Sequence, residues 1–182
     1  LDRGALEQVQ WACWYPNSQQ IALVGSEPSK PMRTYWQDIA GGPPRPLLPE
    51  GVVPFANPEK LWSAVDPTGQ RIAAIDASGT WSLYRLDGRS PRALAGVTSA
   101  DNMVGWSADG RFLYVQSGQQ VFAGVEKVNV ETGARSPFVA IGPSDRSGLV
   151  WGFPRSLSDD GRQYAYTYLR RLSTLFVVSP GK

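Results

Sequence analysis

No histidine occurs anywhere in the 182 residues. That removes Ser-His-Asp and Cys-His catalytic arrangements and the commonest side-chain metal ligand. Only one cysteine is present, Cys13, so no disulfide can form within the chain. With Trp11, Ala12, Trp14 and Tyr15 around it and no base nearby, it reads as an inert core thiol. No apolar run approaches the length of a membrane-spanning helix, and no signal peptide is evident. The chain opens on Leu1 rather than Met, which suggests a processed protein or a piece of a longer one. Charge of either sign is scarce: the net charge is +2, and lysine and arginine are thinly spread, so no basic stripe for nucleic acid exists.

Glycine (19) and proline (15) are abundant, which disfavours long helices. Seven tryptophans and seven tyrosines suit pleated, half-buried strands instead. Four segments share one pattern of apolar stretch, polar turn and apolar strand: 14–26, 64–76, 105–117 and 156–168. Their turn residues, Ser18, Gly69, Gly110 and Gly161, are separated by 51, 41 and 51 positions. Asp109-Gly110 and Asp160-Gly161 predict two-residue type I′ hairpins with both central residues left-handed. A second turn series carries Gly42, Gly88 and Gly133, spaced by 46 and 45. Two series in phase, with a repeat of about 45 residues and three or four short strands per repeat, predict an all-β propeller. A β-sandwich with coincidental hairpins would not keep both series in phase. The repeats fall at about 9–50, 60–97, 102–140 and 150–182, giving about four blades of four-stranded antiparallel sheet.

The pattern WSADGRFLYV at 106–115, with LYRLDGRSPRAL at 83–94, resembles the WD40-like (PD40) repeat of TolB-type propellers. The resemblance extends over most of the chain. It departs at Asn17-Ser18, which lacks the glycine, and at Ala108 and Asp159, where proline is usual. The closing stretch from Asp160 is also similar to the C-terminal propellers of large bacterial Ser/Thr protein kinases, although no kinase motif occurs here. The resemblance implies a bacterial accessory domain of a signalling protein, in a periplasmic or extracytoplasmic setting.

In such blades the Asp-Gly turns and the second turns share one face. The opposite face holds the links between blades, at 48–60, 96–103 and 142–150, and the links between second and third strands. Ligands are expected on that face and along the central channel, by analogy with other propellers. The inter-blade links bring Asp101, Asn102, Asp145, Arg146 and Trp151; the other links bring Lys30, Arg33, Gln119, Gln120, Arg170 and Arg171. Tryptophan and arginine are favoured interface anchors. Trp151, Arg155, Arg170 and Arg171 therefore form the preferred binding cluster, with Asp101, Asn102 and Arg146 beside it. The remaining tryptophans, Trp14 included, are expected in the core. Asp66 and Asp109 sit in turns, where backbone hydrogen bonds account for them. No calcium loop, phosphate cradle or nucleophile elbow is present. The expected function is non-catalytic binding of a protein or peptide, with no cofactor, no metal, no nucleic acid and no membrane contact. A small-molecule sensor and a propeller enzyme are the alternatives. The last repeat reaches a third strand at about 175–178, and residues 1–8 are a candidate closing strand. Without closure, the chain is expected to self-associate or to form part of a larger ring.

Overall fold

The computed structural model describes residues 1–56, 62–118, 124–158, 160–174 and 176. Its strands form four consecutive antiparallel sheets, and the all-β propeller architecture is the one expected. The first blade holds β1 (Gln8–Trp14), β2 (Gln20–Ser26), β3 (Arg33–Asp38) and β4 (Arg45–Pro46), hydrogen-bonded in chain order. The second holds β5 (Arg71–Ile75), β6 (Trp81–Arg85) and β7 (Arg92–Ala93). The third holds β8 (Asp101–Trp106), β9 (Phe112–Ser117), β10 (Val125–Asn129) and β11 (Arg135–Val139). In the fourth, β12 (Leu149–Leu157) pairs with β13 (Tyr164–Arg170).

Blade two departs from the four-stranded expectation. Its innermost position is shared by two short segments, which meet β5 as isolated bridges, Val53 with Ile75 and Val65 with Ile72. The link from blade one thus supplies half of what a full strand supplies elsewhere. The expected third strand of blade four lies almost wholly outside the described residues, as do Gln119 and Gln120.

The first turns also differ from expectation. Asp109 is not left-handed; only Ser18 (φ 55°), Gly69 (70°), Gly110 (65°) and Gly161 (70°) are. Each hairpin closes across four residues rather than two, as in Ser107 N–H donating to Phe112 O at 3.0 Å, and Gly110 N–H donates back to Ser107 O at 2.8 Å. The same pair of bonds recurs at Tyr15–Gln20, Asp66–Arg71 and Ser158–Gln163. A four-residue loop needs one left-handed residue, which explains why serine is tolerated in blade one. Asp109 and Asp160 accept from the backbone N–H two residues on, and Asp66 accepts from Gln70 and Arg71, so these carboxylates shape turns as expected.

The core lies between blades. Strands β2, β5 and β9 are buried along almost their whole length, as expected for sheets sandwiched on both faces. One large cluster joins Trp11, Val24, Trp62, Ile72, Trp81, Trp106 and Leu113 across blades one to three. A smaller one joins Val104, Tyr114, Val125 and Ile141 to Leu157 and Tyr166 of blade four. On the opposite face of blade one, Leu6 is buried against Leu23 and Tyr35. The N-terminal segment is held there by Gln37 Nε2 donating to Asp2 O (2.6 Å) and Glu7 N–H donating to Ser26 O (2.9 Å). Residues 2–7 are therefore strapped onto blade one, while the strand they were expected to close against lies almost wholly outside the described residues.

Candidate functional site

The turn register defines a ring of equivalent positions. Four residues before each left-handed turn residue stand Trp14, Val65, Trp106 and Leu157; two residues earlier stand Ala12, Ser63, Val104 and Arg155. Seven of these eight residues, Ala12 being the exception, line one hollow of about 430 Å³ where the blades converge. It opens at the turn end, since Pro16, Ser18 and Pro67 also line it. The expected site was on the opposite face. There the crevice beside Asp101 and Asn102, walled by Phe55, Trp62 and Trp81, has room for about 10 Å³, a single water at most.

Trp14 was expected in the core but is 59% exposed, whereas its counterpart Trp106 is 8% exposed. The difference is in the neighbours. Trp106 is packed against blade two, with its indole N–H donating to Ala64 O at 3.1 Å. Trp14 pairs with Ile21, which packs with Leu6, Leu23 and Tyr35 outside the large inter-blade cluster, and its indole reaches the hollow. Arg155 is the one charged residue of the ring. Its guanidinium lies 4.2 Å over the Phe153 ring, and its Nε donates to Thr167 Oγ1 at 3.0 Å. The hollow thus offers indole faces, hydroxyls from Ser63 and Ser156, and one oriented cation. Cys13, one place before Trp14, has its thiol pushed up by burial, and burial likewise pushes the Tyr15 phenol up. Neither is set up as a nucleophile at neutral pH.

The sequence-derived site residues separate into three groups. Trp151 (41% exposed) and Arg155 share a face of β12, bridged by Phe153, whose ring stacks on Trp151 at 5.4 Å. Arg170 is drawn to the loop before β12, donating to the Asp145 carboxylate at 3.1 Å and to Asp145 O at 2.6 Å. Arg171 and Arg146 are exposed at that same end, where Arg171 N–H donates to Gly148 O at 2.8 Å and Arg146 O closes a turn with Leu149. Asp101 is instead buried at the start of β8, where Arg135 donates to both its oxygens at 3.0 and 3.1 Å and reaches Glu126 at 2.6 Å. Burial tends to raise the Asp101 carboxyl, but Arg135 and the Thr98 hydrogen bonds outweigh it and hold it below the usual range. Hydrogen bonds from Ser117 and Arg135 lower Glu126 in the same way. Asn102 donates to Gly118 O at 3.3 Å. Asp101 and Asn102 therefore brace blade three, and among the described residues the crevice beside them holds about 10 Å³. Among the described residues no three cysteines or carboxylates converge to hold a metal ion.

Ser63, Val65, Ser156 and Trp14 escaped the sequence reading as site residues. Counting back from the turn residues would have found Trp14, Val65 and Ser63, while Ser156 lines the hollow from between two ring positions.

No protein-family model matches the sequence, and no curated protein does. Solved structures do align. A TolB-assigned protein from Agrobacterium tumefaciens superposes with a TM-score of 0.64 at 17% identity, over 93% of this chain and 58% of its own. TolB from Acinetobacter baumannii gives 0.57 at 17% identity, over 91% and 38%. A structure from a study of two prolyl endopeptidases gives 0.56 at 13%, over 91% and 27%. The chain thus spans less than two thirds of the length of each, and none bears on kinase-attached propellers. Such identities speak for the fold alone, and the chain has the TolB-like β-propeller fold.

Proposed function

We propose that the chain is a non-catalytic propeller module that binds a protein partner through an extended peptide segment, as an accessory part of a larger signalling protein. The observation that carries this reading is the hollow at the blade axis, with Trp14 exposed on one side and Arg155 held over Phe153 on another. Exposed indole beside a pre-oriented guanidinium is the pairing that dominates peptide and protein hot spots. A non-catalytic role is supported by the carboxylates: Asp66, Asp101 and Asp109 are all engaged in turn or ion-pair hydrogen bonds.

Selection of a displayed random-peptide library on the wild-type protein tests the reading. A consensus should emerge whose synthetic peptide binds at least tenfold more weakly to Trp14→Ala and to Arg155→Gln. A peptide bound equally by both variants, or no enrichment alongside binding of a small molecule in the hollow, would overturn it.

A further inference from the structure

A second concavity lies on blade two, away from the axial hollow. It has a volume of about 310 Å³ and is lined by Arg71 of β5, Arg85 of β6, Arg92 of β7, Arg89 and Ser90 of the turn between them, and Glu131 of blade three. Four guanidiniums share this groove with one lining carboxylate.

The arginines are held differently. Arg71 is anchored by the buried Asp66 (2.8 Å) and by Gly110 O (2.9 Å). Arg92 is anchored by Val130 O (2.8 Å) and the Glu131 carboxylate (2.9 Å). Arg85 and Arg89 share a single carboxylate, Asp87, at 2.8 and 3.5 Å. The three acids Asp66, Asp87 and Glu131 thus serve four cations, leaving one positive charge over. Each guanidinium carries five N–H donors. The Arg71 guanidinium also lies 5.7 Å from the Trp106 ring centroid; its Nη1 and both Nη groups of Arg89 make no hydrogen bond among the described residues. Arg71 and Arg92 are held in place by their partners, and Arg89, exposed on one long ion pair, can turn its donors to an oxyanion in the groove.

We infer that this groove is a binding site for a phosphoryl-bearing anion. A carboxylate is flat and is satisfied by one guanidinium fork. A phosphoryl group presents three oxygens in different directions and up to two charges, matching arginines that arrive from three strands and a turn. The volume accommodates more than one phosphoryl unit.

Isothermal titration with inorganic pyrophosphate at constant ionic strength tests the assignment. Binding should saturate, and Arg89→Gln should weaken it at least tenfold; Arg89 is 73% exposed with one long ion pair, so the variant folds. Arg162→Gln, which removes the same charge from the first turn of blade four, should change affinity less than twofold. Trp14→Ala should leave the isotherm unaltered, so this result is independent of peptide binding at the axis. Absence of saturation, equal weakening by Arg162→Gln, or tighter binding of malonate than of pyrophosphate would each overturn the assignment.

Discussion

Arg71 of blade two donates from Nη2 to the carbonyl of Gly110, 39 residues on, in the first turn of blade three. The same sequence interval joins Arg92 to Glu131 and Arg135 to Gly96 O. Three arginines thus lock blades two and three together at one shared interval of 39 residues. Arg71 also neutralises Asp66, which is fully buried. Removing it strands that charge, so Arg71→Met should cost about 3–5 kcal/mol, while the double variant Asp66→Asn/Arg71→Met recovers part of the loss. Urea denaturation of the two variants against wild type checks this.

Left-handed backbone predicts two opposite glycine effects. A Cβ at Gly96 (φ 75°) would run into the carbonyl of Gly133, so Gly96→Ala should destabilise by more than about 2 kcal/mol. Ser18 holds a left-handed φ of 55° in the position that the other blades give to glycine. Ser18→Gly should therefore stabilise by about 0.5–1 kcal/mol through relief of that strain. Chemical denaturation midpoints read both.

Acid should weaken the Asp101–Arg135–Glu126 network. Both carboxyls titrate below their usual values in the folded protein, and unfolded Asp and Glu titrate near about 4. The unfolded chain therefore takes up protons first as the pH falls. The network's stabilisation is complete above about pH 5 and is lost as the pH drops through the depressed folded values. Arg135→Gln should thus differ most from wild type at pH 7, with the gap closing towards pH 3. A gap that stays constant in urea titrations at pH 7, 5, 4 and 3 would contradict an ionic role for Arg135.

Trp14 and Trp106 occupy equivalent places in their repeats but should respond very unequally to truncation. Trp106→Ala empties a packed inter-blade site and should cost about 3–5 kcal/mol. Trp14→Ala should stay within about 0.5 kcal/mol of wild type, as exposed substitutions do. Thermal unfolding of the two variants distinguishes them directly.

What could be read without coordinates was local. Ser18, Gly69, Gly110 and Gly161 announce their turns because a left-handed residue is a property of one backbone position, and all four adopt it. The propeller follows from the repetition of that local signal. The loop length did not follow, because Asp-Gly also occurs in the middle of four-residue loops, where only the glycine turns left-handed.

Which residues meet was decided by the tertiary structure. Asp101 and Arg135 lie 34 residues apart, and nothing near either marks it as the other's partner. Trp14 and Trp106 stand in the same register, yet Trp106 is packed against a neighbouring blade and Trp14 is exposed. The arginine groove gathers Arg71 with the turn that carries Arg89 only because β5 and β6 pair. Turn chemistry and strand pattern are written residue by residue along the chain. Burial, ion pairing and the mouth of the hollow depend on how one sheet stacks on the next, which only the folded arrangement supplies.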